Sequence, residues 1–337
     1  MKLIYYVVAR MAQIPLVIIG VLTITFIVSR ILPGDPIPLL AGPMASAEVR
    51  AEVIARYGLD KPLLIQFLDC LRDFFLRGDL GLSLRTRHPV TQDLITFLPA
   101  SLELLIGTAI LCIPTSILLG VIGATRKDRL PDHAIRIFAL GSVAMPPFWI
   151  GVILQLVFAC WLGVLPVGGR IALEAVPKGP TGMYLIDSLV TFNSEAFVSS
   201  LTHLVLPTVT LTFGIMAPLV RMTRSSMLDF LGHDSIRTAR ASGLSERRII
   251  YKYALRNSML ATTTHVGMVF GTFFGYTVLV EKIFVYPGLG KYVTDSILYL
   301  DYPGVVGATV VLALLVTVIN LIVDLLYSVL NPKIRYG

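Results

Sequence analysis

The sequence predicts an all-α polytopic membrane protein with six transmembrane helices and a helical insertion on the outer side. Composition is the first reason: of 337 residues, 55% are hydrophobic and only 15% charged, with a mean hydropathy of +0.79, which no ordinary soluble domain shows. Periodicity of charge is the second. Uncharged stretches long enough to cross about 30 Å of hydrocarbon occur at 12–29, 104–125, 137–161, 197–220, 257–280 and 302–323. The third is the placement of Lys and Arg, which orients the six spans. Arg126, Lys127, Arg129 and Arg136 follow the second stretch, and Arg221, Arg224, Arg237, Arg240, Arg247, Arg248, Lys252 and Arg256 follow the fourth. These loops are expected in the cytoplasm, with both termini on the same side. The loop after the third stretch holds only Arg170 and Lys178, and the last outer loop holds Lys282 and Lys291. The long first loop holds seven Lys and Arg residues too, but loops above about 60 residues translocate largely regardless of charge. A formal charge of +7 thus reflects topology, and no basic patch interleaved with aromatics argues for a nucleic-acid partner.

Taken in order, residues 1–32 form the first helix, with Lys2 and Arg10 ahead of an apolar run too long for a signal-peptide core. Residues 33–98 form the outer loop. Within it Ser46 caps a helix through Tyr57 that carries Val49, Val53 and Ile54 on one side and pairs Glu52 with Arg56, stopping at Gly58. Asp60 and Pro62 open a second helix whose Leu64, Phe67, Leu68, Leu71, Phe74 and Phe75 form an apolar face, with Gly78 ending it. Such a loop is either a cap on the helix ends or a docking surface for an external partner.

Residues 99–330 form a core of five spans, with a cytoplasmic segment at 225–256 and a tail at 331–337. Pro146-Pro147 removes two backbone donors from the third span and should kink or break it. Gly267, Gly271 and Gly275 recur every four residues in the fifth, a signal of close packing against some neighbour. Asp324, near the end of the sixth, is read as an anchoring or capping residue at the interface, as are Glu103 and the Glu281-Lys282 pair at outer helix ends.

Chemistry of other kinds finds no support. The histidines at 88, 133, 203, 233 and 265 are scattered, so no metal pair is expected. Cys70, Cys112 and Cys160 suggest no disulfide framework. Gly290-Lys291 lacks both the leading glycine and the following Ser or Thr of a phosphate-binding loop. A non-catalytic chain is expected.

The segment from Asp234 to Asn257 is the most informative. Asp234 can cap a first short helix, Gly243 suits the left-handed position that ends it, and Ser245 can cap a second, with Glu246 in its first turn. Small Ala239 and Ala241 would let that first helix lie close in a partner's groove. Arg237, Thr238, Ala239 and Gly243 stand where permease subunits of ATP-binding-cassette (ABC) importers carry Glu-Ala-Ala-x-x-x-Gly, followed here by Tyr253-Ala254-Leu255. Arg237 replaces the glutamate and Arg256 the usual proline, departures typical of the peptide and nickel branch. Leu32-Pro33-Gly34-Asp35-Pro36, Tyr57-Gly58-Leu59-Asp60-Lys61-Pro62, Tyr286-Pro287-Gly288-Leu289-Gly290 and the ending Asn331 to Gly337 extend the likeness over nearly the whole chain. The chain therefore resembles the dipeptide, oligopeptide and nickel B-type permeases.

That resemblance implies a type I ABC importer transmembrane fold in a bacterial inner membrane. Ser235, Ile236, Arg237, Thr238, Ala239, Arg240, Gly243 and Leu244 would couple the chain to ATPases, and Gly267, Gly271 and Gly275 would lie near the central pathway. Implied partners are a second homologous permease, two ATP-binding-cassette ATPase subunits and a periplasmic or extracellular solute-binding protein. No cofactor is implied in this chain, ATP and Mg being held by the ATPases. Peptides are the expected substrate, with nickel chelates or another small solute open. A secondary transporter is the rival of another class, but it calls for ionisable residues near the midplane and broken helices in both halves, and Asp324 alone is a poor match.

Overall fold

The computed structural model describes residues 3–31, 37, 45–57 and 60–330. Among the described residues the chain is helical, with one isolated bridge between Leu82 and Pro89. The 32–36 motif, residues 58–59 and the 331–337 tail lie outside them.

Helix α1 is Leu3–Ile31, and its apolar stretch is Ala12–Val28. The insertion contains α2, Ala47–Tyr57, and α3, Leu63–Arg77. The expected signals operate: Ser46 Oγ accepts from the Val49 amide at 3.4 Å, and Gly78 ends α3 at φ +63°. Part of the apolar face of α3 packs on α1 and α13, since Cys70, Leu71 and Phe74 meet Ile18, Leu22 and Val310 and Phe67 meets Phe26 at 5.3 Å between ring centroids, while Leu64, Leu68 and Phe75 stay exposed.

Helix α4, Val90–Thr125, has 36 residues, about 54 Å at 1.5 Å per residue, and starts well before the uncharged run. Next come α5, Leu130–Ala144, and α6, Pro147–Leu154, which a π-helical turn extends over Gln155–Trp161. Their axes differ by 103°. The third predicted span is thus a bent pair rather than a straight crossing: Pro147, without an amide to bond back, takes the first position of α6, and Pro146 before it is held extended, at ψ 133°. Helix α7 is Tyr184–Val190, and α8, Ser194–Leu231, opens with Asn193 Oδ1 accepting the Ala196 amide at 3.0 Å. The remaining helices are α9, Asp234–Ala241, α10, Glu246–Arg248, α11, Arg256–Ile283, α12, Leu289–Leu298, and α13, Tyr302–Leu330. A π-helical stretch, Ile249–Leu255, joins α10 to α11 without a break. Among the described residues, four helices are long and apolar enough to cross a membrane, and the bent pair makes a fifth. The shorter run of α1 completes the order read from the sequence.

At the centre α8 packs on α4, α5, α6 and α11. The crossing of α4 and α8 is close because Gly120 has no side chain; a Cβ there would stand 2.5 Å from Thr223 Cβ. Thr223 in turn lies 3.3 Å from Thr262 of α11, hydroxyl to hydroxyl. Leu104, Cys112, Leu211, Ile215, Leu219, Phe270, Phe273 and Phe284 fill the core around this axis.

Among the described residues, four helices end in the same hydrogen-bonded turn, in which the amide two residues past the cap reaches back to the carbonyl three before the cap. At α9 the left-handed position is Gly243, φ +76°, and Leu244 N–H bonds Ala239 at 3.2 Å. At α7, α11 and α12, all at the other end of the bundle, that position is Phe192, Val285 and Leu300, with φ +52°, +51° and +52°. Their following amides bond Ser188, Glu281 and Ser296 at 2.9, 2.8 and 2.8 Å. A bulky side chain there costs about 1–2 kcal/mol and persists where the surroundings over-determine the backbone.

Candidate functional site

The basic end of the bundle carries α9, an eight-residue helix that stands almost free of the rest. Ile236 is its one buried side chain, 4% exposed, and anchors it below the long helices. Ser235, Arg237, Thr238, Arg240 and Gly243 are exposed, while Ala239 and Leu244 are half-buried. The expected caps differ in detail. Asp234 is the first helical residue rather than the cap, which is His233, and no side chain caps this helix. Its carboxylate meets Arg237 Nη1 at 3.3 Å instead, three residues on along the first turn. Ser245 does occupy the cap of α10 but makes no side-chain cap bond. Glu246 is drawn away by Arg240, which donates to its two oxygens at 2.6 and 3.3 Å and so staples α9 to α10 around Gly243. The product is a short, charged, largely exposed ridge.

The three glycines of α11 divide. Gly267 is closed by α13, where a Cβ would meet Val323 Cγ1 at 3.0 Å. Gly271 and Gly275 have nothing within 4 Å of a built Cβ. With Thr264, Met268, Thr272 and Leu279, which are exposed, they leave a stripe along α11 that no described residue covers. The close packing expected at all three sites is met within the chain only at Gly267.

At the opposite end the charges expected at the interface are buried. Glu281 is fully buried; Ser101 Oγ donates to its Oε1 at 2.6 Å and the Lys291 amide to its Oε2 at 3.0 Å. This explains the Tyr286-to-Gly290 motif. A side chain on Gly288 would collide with the Glu281 carboxylate, and one on Gly290 would stand 2.6 Å from Val278 Cα. The glycines let the chain wrap the acid. Glu103 is likewise no anchor: Arg170 Nη2 meets its Oε2 at 2.8 Å, and the Leu185 amide donates to Oε1 at 2.6 Å. The Arg170 guanidinium lies 3.9 Å from the Tyr184 ring centroid and donates to the Gly182 carbonyl at 2.7 Å. Beside this, Asp301 accepts from Ser83 Oγ at 2.5 Å and the Leu84 amide at 2.9 Å, tying the segment before α4 to α13. Burial alone would raise the Asp295 carboxyl, yet ammonium groups of Lys282 and Lys291, each at 2.8 Å, hold it below the usual carboxylate range.

A further pair braces the basic end. Arg224 donates from Nε and Nη2 to Asp132 at 2.6 and 2.7 Å, joining α8 to α5. In the sequence Arg224 is one of many topological arginines, and its partner lies 92 residues away. No local spacing reveals it.

Comparison with known proteins agrees with this architecture. The family described as binding-protein-dependent transport system inner membrane component matches residues 116–336, and its N-terminal counterpart matches residues 3–105. The chain is 42% identical over 324 residues to the probable D,D-dipeptide transport system permease protein DdpB of Escherichia coli K12, covering 96% of this chain and 95% of that protein. It is 40% identical over 318 residues to the di/tripeptide permease DppB of Pseudomonas aeruginosa UCBPP-PA14, 94% of each. The oligopeptide permease AppB of Bacillus subtilis 168 is 37% identical over 333 residues, 98% of this chain and 99% of that protein.

Proposed function

The chain belongs to the family of binding-protein-dependent transport system inner membrane components, a multi-pass permease subunit of an ABC importer, and on that premise we propose that it carries peptides. Its relatives named for dipeptides, tripeptides and oligopeptides support this reading. The chain forms half of the path, and a second, homologous permease supplies the other half along the open Gly271 and Gly275 stripe of α11. Two ATPase subunits dock on the ridge from Ser235 to Leu244 in the cytoplasm, where both termini also lie. ATP and Mg are bound there, and this chain hydrolyses nothing. A solute-binding protein delivers the substrate to the outer end.

The observation that carries the reading is the ridge of α9, held by one buried residue and otherwise presented to solvent. Nucleotide binding moves the two ATPases, and a short rigid helix seated in each passes that motion to α8 and α11. The test is to purify the intact complex with its binding protein and measure which solutes raise that protein's melting temperature. A true ligand at a hundredfold excess over its Kd stabilises by about 2.7 kcal/mol. Di- and oligopeptides are expected to do so; stabilisation by a nickel chelate and by no peptide would replace the substrate assignment while leaving the importer.

A further inference from the structure

Between the docking ridge and the uncharged run of α11 lies a charge cluster with no part in the account so far. Ser245, Arg247, Arg248, Tyr251 and Lys252 line an open groove of about 400 Å³, and all five are exposed. Among the described residues, no acidic side chain pairs with any of the three cations. The adjacent acid, Glu246, is engaged by Arg240 at 2.6 Å. Three positive charges thus converge on one concavity uncompensated. Part of the cause is winding: Ile249–Leu255 is π-helical, and its i→i+5 bonding aligns residues four and five apart, bringing Arg247 and Arg248 into line with Tyr251 and Lys252.

Depth identifies the ligand. Lys252 precedes residue 257, where the uncharged run starts, by five positions, about 7 Å at helical rise. The headgroup layer occupies about 5–7 Å beyond the hydrocarbon on each side. Arg247 and Arg248 start about one turn further out, and long arginine stems reach back to such a layer. Tyr251 and Tyr253, both exposed, mark the same level, which is where tyrosine concentrates in membrane proteins. An acidic protein surface would satisfy the charges but gives no reason for tyrosines at this height.

We propose that this groove binds the phosphate headgroup of an anionic phospholipid of the cytoplasmic leaflet. Arg247, Arg248 and Lys252 hold the phosphate and the Ser245 hydroxyl donates a further hydrogen bond. The bound lipid fixes the height of the joint between the docking ridge and α11 relative to the membrane. The site rests on the cytoplasmic placement of this end, which labelling of a Ser245→Cys variant by membrane-impermeant reagent decides separately.

The experiment uses the complete complex in phosphatidylcholine nanodiscs with a minority of phosphatidylglycerol, released and weighed by native mass spectrometry. Each basic residue near the surface strengthens anionic-lipid binding by roughly fivefold. Retained phosphatidylglycerol should therefore drop by about a hundredfold in the Arg247→Gln, Arg248→Gln, Lys252→Gln variant, with ATPase subunits still bound. The Arg247→Lys, Arg248→Lys variant should retain most of it, which separates charge from fold. Inorganic phosphate should not displace the lipid. Unchanged phosphatidylglycerol in the glutamine variant overturns the proposal, and so does loss of the ATPase with the lipid retained, which would give the groove to the protein partner.

Discussion

The two ends of the bundle treat charge in opposite ways. At the outer end Glu103, Glu281 and Asp301 are buried and answered by Arg170, Ser101, Ser83 and backbone amides of the same chain. At the basic end, Arg237, Arg240, Arg247, Arg248 and Lys252 stand exposed around two buried isoleucines, Ile236 and Ile249. Even the helix ends follow this division. Helix α9 closes on Gly243, which adopts the left-handed turn freely, while the outer helices close on Phe192, Val285 and Leu300, which do so only under constraint. The outer end answers its buried carboxylates within the chain, while at the basic end Arg247, Arg248 and Lys252 have no acidic partner among the described residues.

The largest expected effect tests the outer end. Arg170→Ala leaves Glu103 buried without its counter-charge, which costs about 3–5 kcal/mol. Thermal unfolding of the purified chain should show that loss, and a change within measurement scatter would mean the network is not structural. A smaller effect separates the glycines of α11. Gly267→Leu overpacks the contact with Val323 and should cost about 1–3 kcal/mol in the chain by itself. At Gly271 no described residue lies within 4 Å of a built Cβ, so the Gly271→Leu chain should melt within about 0.5 kcal/mol of the unmodified protein. Its penalty should appear only on pairing with the second permease, as uptake per complex reduced about five- to a hundredfold. Equal uptake would mean that this face looks onto lipid.

At the basic end, Ala239→Glu and Gly243→Val should leave insertion intact and weaken the docking contact. A loss of about 1.4 kcal/mol is tenfold in affinity, so uptake should fall by about that factor while membrane levels hold; normal uptake in reconstituted vesicles by both variants would remove the docking role. Smallest of all, Val285→Gly relieves the left-handed strain of an exposed valine and should raise stability by about 1 kcal/mol. Lower stability would show that the side chain makes a contact within the chain.

This division also explains what the sequence disclosed. The spans, the proline break and Gly243 were legible because each rests on a local rule: run length, a missing amide, a left-handed turn. Helix α9 was legible for the same reason, being eight consecutive residues. The outer network was not. Glu103 and Glu281 end uncharged runs, so they read as interfacial anchors, and nothing near them in sequence points to Arg170, 67 residues away, or to Ser101, 180 residues away. The glycine stripe was half legible. Spacing located the face, but only the fold shows that α13 closes Gly267 and leaves Gly271 and Gly275 open.

Amide hydrogen exchange on the permease alone and in the assembled importer reads both ends in one experiment. The amides of Leu289 and Lys291, bonded to Ser101 and Glu281, should be protected equally in the two samples. Those of residues 235–244 should exchange quickly in the free permease and become protected when the ATPase subunits bind. Fast exchange of 235–244 in the assembled, ATP-hydrolysing complex would contradict the claim that this ridge is where the chain meets its motor.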